Sequence, residues 1–225
     1  MAGNAAPTAS DYPGGGPLAG RWQAPVFVLG VGALLAVVLT RPLRAGDAAT
    51  ELRRDLAEAR RLLEHDGDPA EAARLAQRVL DVKDAHSDLA GEADLLFGTA
   101  RMRQAAHTDA AGADALWAEA RRHLEAADRE KATVPEKDRD RLQYRLGVAD
   151  YYTHDDPDHV IAQVKTAMEQ ADDPVEGYTI LTQSYLRRTP PNVQEALAAN
   201  LRLRNLPQAK EDVLAPARLL GGELE

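Results

Sequence analysis

The most regular alternation of apolar and polar positions runs from Pro174 to Pro207. Tyr178, Leu181 and Tyr185 fall at steps of three and four, which places them on one face of a helix. A polar break follows at Thr189-Pro190-Pro191-Asn192, and Ala196, Leu203 and Leu206 then form a matching stripe on a second helix that Pro207 closes. The pattern predicts two short helices joined by a turn. A hairpin of this size cannot bury its apolar face alone, so it has to stack on neighbours of the same kind.

The same pattern extends along the chain. Leu52, Leu56, Ala59 and Leu63 share a helix face, with Asp47 placed to cap it. His65-Asp66-Gly67-Asp68 breaks that helix, and Asp68-Pro69 starts the next in the favoured cap-then-proline order, carrying Ala72, Ala76, Val79 and Leu80. A second pair carries Leu89, Ala93, Leu96, Phe97 and Ala100, then Ala113, Trp117, Ala120, Leu124 and Ala127, with Trp117 expected in the core between units. A third opens at Pro135 with Leu142, Leu146 and Ala149, then Val160, Val164, Ala167 and Met168. Between these two pairs, Asp128 to Asp140 reads as a charged, solvated connector. The resulting units span about 47–83, 87–128, 136–172 and 174–207, and a partial unit from 208 carries Leu220-Gly221 and Leu224. A ladder that stops halfway through a unit implies a portion of a longer protein.

A large apolar residue followed by a small one recurs at Phe97-Gly98, Leu146-Gly147, Leu181-Thr182 and Leu220-Gly221, with a weaker Ala59-Arg60 upstream. The second members are 38, 49, 35 and 39 residues apart. Glycine in a helix interior costs about 1 kcal/mol relative to alanine, so its repeated use calls for close approach of the partner helix. Together with the proline stops and the mid-unit alanines, these pairs resemble the tetratricopeptide repeat, whose signature is an aromatic, a leucine followed by a small residue, a tyrosine, an alanine and a closing proline.

The resemblance covers residues 47–225 and implies an all-α fold, an α-solenoid of stacked antiparallel helix pairs. It also implies a concave groove, lined by the first helix of each pair, that binds peptides or partner proteins. Projected onto this chain, the groove side holds Glu92, Leu95, Thr99, Met102 and Arg103, then Arg141, Tyr144, Val148, Tyr151 and Tyr152, then Glu176, Thr179, Gln183, Leu186 and Arg187. Arg141, Tyr144, Tyr151 and Tyr152 are the expected anchors, since tyrosine and arginine supply interface energy out of proportion to their number. Packing between helices is the competing role for those tyrosines. Family members that grip a carboxyl-terminal peptide use Lys and Asn in the groove, a set this chain does not display.

The amino end reads differently. Residues 1–20 hold Pro7, Pro13, Pro17 and Gly14-Gly15-Gly16 with Asp11 as the only charged side chain, a composition that predicts a disordered tail. From Trp22 to Thr40 there is no charge, and these residues as a helix reach roughly 28 Å, enough to cross a bilayer core. Trp22, Arg21 and Arg41 would sit at the interfaces. A cleaved secretory signal wants a short basic leader and a small-x-small site after the apolar run, whereas here the leader is long and nearly neutral and Arg41-Pro42-Leu43-Arg44 follows. A buried core helix would be less uniformly apolar. The expectation is an uncleaved single-pass anchor at 22–40. Arg41, Arg44, Arg53, Arg54 and Arg60 outweigh Arg21 and the α-amine, which favours a cytoplasmic repeat region over an extracytoplasmic one.

Composition narrows the chemistry. The 225 residues are 44% hydrophobic and only 4% aromatic, which suits helix-on-helix packing better than a β-sandwich. The formal charge of −9, with no basic run outside the neighbourhood of the apolar segment, argues against a nucleic-acid partner. The absence of cysteine excludes disulfides, thiol catalysis and Cys-based zinc sites. His154-Asp155-Asp156-Pro157-Asp158-His159 groups potential metal ligands, yet in the repeat register it is the turn between two helices, where Asp and Pro serve as cap and first-turn residues. No phosphate loop, Gly-x-Ser-x-Gly elbow or His-Glu-x-x-His is present. The expectation is a membrane-anchored, non-catalytic scaffold for protein partners that needs no metal or cofactor. A regulatory portion of a longer enzyme and an envelope chaperone or secretion-complex subunit are the alternatives.

Overall fold

In the computed structural model the described residues are 48–65, 67–154, 156–210, 217 and 222. The expected tail at 1–20, the apolar segment at 22–40, Asp47, Leu220-Gly221 and Leu224 lie outside them. The chain divides into two units, Met1–Ala48 and Ala49–Glu225, and the helical packing belongs to the second. Among the described residues no helix is long and apolar enough to cross a membrane.

That unit is all-α. Its helices are α1 (residues 48–64), α2 (Pro69–Leu80), α3 (Ala90–Ala106), α4 (Ala110–Arg129), α5 (Glu136–Tyr152), α6 (Pro157–Ala167), α7 (Pro174–Arg187) and α8 (Val193–Arg204). Three of them start on an Asp-Pro step. The carboxylate of Asp68 accepts from Ala70 N at 2.8 Å, Asp156 from Asp158 N at 3.0 Å and Asp173 from Val175 N at 2.8 Å, each with proline in the first turn, where its missing N–H costs nothing. Asp109 and Asn192 cap α4 and α8 in the same way. Each such cap is worth about 1 kcal/mol, so the turns between helices are written into the chain residue by residue.

The apolar stripes face inward as their spacing predicts. Leu52, Leu56, Ala59 and Leu63 of α1 join Ala72, Ala76 and Val79 of α2 and Ala93, Leu96, Phe97 and Ala100 of α3 in one cluster. Leu95, Leu124, Ala127, Leu142, Leu146 and Ala149 join α3, α4 and α5, and Trp117, Tyr144, Val160, Val164, Leu181, Tyr185 and Ala196 continue the core through α8. Every fully buried Leu, Val or Phe contributes roughly 1.5–3 kcal/mol. From α2 onward each helix packs against the next along the chain, and α3 with α5 and α5 with α7 also meet directly.

The small residues sit where helices come closest. A Cβ on Gly98 would lie 2.8 Å from Leu124 Cγ and 3.1 Å from the Ala120 carbonyl oxygen of α4; one on Gly147 would lie 2.7 Å from Val164 Cγ2 of α6. Two glycines at the same place in successive helix pairs thus set the spacing within each pair. Thr182, the counterpart on α7, is buried, and its hydroxyl is satisfied by the Tyr178 carbonyl at 2.8 Å.

One expectation holds only in part. Residues 128–140 join the two pairs and leave Arg129, Lys131, Ala132, Glu136, Lys137 and Asp140 exposed, but α4 continues to Arg129, a short 3₁₀ turn spans Lys131–Thr133, and Val134 is 1% exposed in the core beside Leu95 and Leu142. Thr133 Oγ1 accepts from Gly91 N at 2.9 Å, and Asp138 is buried against Arg60. The segment is thus exposed along its charged positions and held at two points, by Val134 in the core and by Asp138 against Arg60.

Candidate functional site

Two neighbouring cavities lie along the first helices of the pairs. One, of about 230 Å³, is lined by Arg60, Leu63 and Glu64 of α1, Leu95, Leu96, Thr99 and Arg103 of α3, Asp138, Arg141 and Arg145 of α5, and Asp172. The other, of about 330 Å³, is lined by Thr99, Met102, Arg103 and Ala106 of α3, Trp117 of α4, Tyr144 and Arg145 of α5, and Asp172, Asp173 and Glu176 at the start of α7. Thr99, Arg103, Arg145 and Asp172 border both, so the two form one trough.

Ion pairs brace the first half. Arg60 reaches Glu92 of α3 at 2.7 Å and Asp138 of α5 at 2.5 Å, tying three helices through one guanidinium. Arg145 donates to Asp172 at 2.6 Å and to Thr99 Oγ1 at 3.0 Å, while Arg141, half-exposed, stands 3.8 Å from the same Asp172. Trp117 and Tyr144 wall the second half, and Trp117 belongs to an aromatic cluster behind it. Trp117 and Tyr152 stack with centroids 4.1 Å apart, Tyr151 meets Tyr152 edge-on at 5.1 Å, and the Arg187 guanidinium lies over the Tyr151 ring at 4.5 Å.

Glu176 faces this aromatic half. Its carboxylate accepts from the Tyr152 hydroxyl at 3.3 Å, and among the described residues no arginine, lysine or histidine pairs with it. Burial, reinforced by Asp173, raises its pKa to about 7. Burial, with the Glu176 charge second, likewise pushes the Tyr144 and Tyr152 hydroxyls upward, so both stay protonated donors. Tyr144 spends its proton on the Asp173 carbonyl at 2.6 Å, which leaves that hydroxyl a structural tie to the start of α7.

The residues projected onto the groove separate accordingly. Arg141 is exposed at the trough, and Tyr144 lies at its wall but is only 1% exposed. Val148 is fully buried in the core. Packing between helices, the competing role left open for the tyrosines, is therefore what Tyr144 performs, because the inward face of α5 is sandwiched between α3 and α7. Tyr151 and Tyr152 are half-buried in the aromatic stack, joined by exposed Arg187. Thr179 is half-buried, with its hydroxyl bonded to the Val175 carbonyl at 2.8 Å, and Gln183 is half-buried one turn beyond it. Trp117 is in the core as expected, and its edge also walls the cavity. Pattern reading passed over Arg145 and Asp172. Arg145 stands four residues after Arg141, a step that puts the two on one face and could have marked it.

The turn with the grouped histidines and aspartates has other occupations. Asp156 caps α6, Asp158 pairs with Arg188, and His159 lies 3.4 Å from buried Asp150. Among the described residues no group of three or more His, Cys, Asp or Glu is arranged to hold a metal ion.

The fold and site thus define an all-α protein of consecutively packed helix pairs with a polar-to-aromatic trough along their first helices. Comparison with protein-family models, with curated proteins and with solved structures gives no match.

Proposed function

We propose that the chain is a membrane-anchored, tetratricopeptide-like scaffold whose trough binds an extended segment of a protein partner without catalysing a reaction. The observation that carries this reading is the trough itself: three successive first helices, α1, α3 and α5, and the start of α7 converge on it. The recurrence of Gly98 and Gly147 at equivalent helix contacts and the direct meeting of α3 with α5 and α5 with α7 support a solenoid of repeated pairs. Length favours an extended ligand over a small molecule, since the two cavities share the border formed by Thr99, Arg103, Arg145 and Asp172. Residues 22–40 anchor the chain, and the repeats face the cytoplasm.

Site-specific photo-crosslinking tests the binding surface. A benzophenone side chain replacing exposed Arg141, at the trough, is expected to give discrete adducts in cells, while one replacing exposed Ala118 on α4 gives none. Equal patterns from both positions would rule out the trough as the docking surface.

A further inference from the structure

The aromatic half of the trough contains a charge without a counter-charge. Of the five ionic side chains lining the larger cavity, Arg145 is paired with Asp172 at 2.6 Å, Asp173 is committed to capping α7, and Arg103 has an interaction of its own. Glu176 is the remainder. It is held in place from one side by the Tyr152 hydroxyl, and Trp117, Tyr144 and Met102 wall the same space. Another cavity among the described residues, lined by Arg74, Arg78 and Arg101, offers no such imbalance, because those arginines already pair with Glu71, with Glu51 and Asp55, and with Glu119.

A half-buried carboxylate without a cation is costly to keep ionised, and a ligand that supplies the cation recovers that cost on binding. We infer that the cavity beside Glu176 is a specificity pocket for a lysine or arginine side chain of the partner, whose charged end meets the Glu176 carboxylate while its aliphatic stem lies along Met102, Trp117 and Tyr144. The inference rests on the reading of the trough as a protein-binding surface. The pocket's volume of about 330 Å³ accommodates a basic side chain along its length, and its border with the smaller cavity lets the peptide backbone continue past Thr99 toward Arg141. The groups around Glu176 set the sign of this preference: Asp173, at the cap of its own helix, is negative, Tyr152 and Tyr144 from α5 are neutral, Asp172 and Arg145 neutralise each other, and Arg103 from α3 has an interaction of its own. Because burial holds the Glu176 carboxyl near neutrality, the incoming cation also fixes it in the ionised form.

A random-sequence peptide library displayed on phage, panned on the full-length chain in lipid nanodiscs, tests the pocket separately from the trough. Arg141→Glu and Glu176→Gln are the two comparison proteins, with Tyr152→Phe as a variant that loosens Glu176 without changing charge. The expected result is a set of peptides that Arg141→Glu no longer retains, enriched in a basic residue at one position, and weakened roughly tenfold by Glu176→Gln, the scale of one charge-assisted contact. Synthetic copies with that residue changed to glutamine should lose the same factor on the wild-type chain and nothing on Glu176→Gln. Peptides that depend on Arg141 yet show no basic enrichment, or bind Glu176→Gln unchanged, overturn the basic pocket and leave the trough standing. Failure to recover any peptide sensitive to Arg141→Glu overturns both.

Discussion

Gly147 and Gly112 are both helical glycines, and a methyl group added to each meets different surroundings. At Gly147 the new Cβ falls 2.7 Å from Val164 Cγ2 and 3.2 Å from Val164 N, and Val164 is fully buried, so the two helices must move apart. Overpacking of this kind costs roughly 1–3 kcal/mol and outweighs the gain of about 1 kcal/mol in helix propensity. At Gly112 the Cβ meets Thr108 Cγ2 at 2.8 Å, on an exposed side chain, and Asp109 Oδ1 at an ordinary contact distance of 3.4 Å. Gly147→Ala is therefore expected to lower stability by about 1–2 kcal/mol in urea unfolding while Gly112→Ala stays near neutral. Equal effects would mean that the glycine does not set the spacing. Glu176 makes a second residue-scale prediction. Its pKa is raised from 4.5 to about 7, first by burial and then by Asp173, so the folded protein keeps a proton that the unfolded chain has released. Stability then falls as pH rises through that window and levels off above it. Glu176→Gln stays neutral throughout, and it is expected to flatten this part of the pH profile and to be more stable than the native chain at about pH 8 by roughly 1–3 kcal/mol. Denaturant unfolding of both proteins at about pH 5 and about pH 8 checks it, and a gap that does not widen with pH removes Glu176 as the cause.

At the scale of elements, Arg60 ties three first helices together through Glu92 and Asp138. Asp138, its partner on α5, is 4% exposed, so removing the guanidinium strands a carboxylate in the interior. Breaking a buried pair by losing one partner costs about 3–5 kcal/mol. Arg60→Ala is expected to approach that loss, and adding Asp138→Asn should restore more than half of it, because the uncompensated charge rather than the missing contact dominates. Urea unfolding of the two single variants and the double variant measures the coupling, and simple additivity would exclude the bridge. This bridge also marks where reading by pattern stops. Helices with one apolar stripe, such as α2 with Ala72, Ala76 and Val79, were legible from their spacing, as were their Asp-Pro starts. The α3 and α5 helices are buried on several sides, and they enclose Asp94, Thr99, Asp138 and Asp150. A charged residue in sequence reads as surface unless its partner is known, and His123 for Asp94 or Arg60 for Asp138 comes from another helix. The groove candidates on α5 divided for the same reason: a helix with neighbours on both flanks buries its middle, at Tyr144 and Val148, and leaves Arg141 near its start exposed and Tyr151 and Tyr152 at its end half-buried.

For the whole molecule, the proposed anchor decides which proteins can reach the trough, and the charge pattern around it makes a definite prediction. Arg41 and Arg44 follow the apolar segment directly and Arg53 and Arg54 come within the next turn or two of helix, against Arg21 and the α-amine on the other side. On the proposed anchor, that excess predicts a helical unit on the cytoplasmic face. The native chain has no cysteine, so a single introduced thiol reports position without background. Asp172 is unsuited to carry it, because replacing Asp172 would free Arg145 and alter the trough. Ala85, exposed between α2 and α3, perturbs nothing in the core. With Ala85→Cys in the full chain, a membrane-impermeant maleimide is expected to label only after cells are lysed, and the labelled protein is expected to pellet with membranes and resist extraction by carbonate. Labelling of intact cells would place the trough outside and make extracytoplasmic proteins the candidates for its basic pocket. Recovery of the labelled protein in the soluble fraction would mean that residues 22–40 do not anchor it, and the trough would then be free to meet partners in solution, where the net charge of −9 favours the same basic segments that Glu176 is placed to receive.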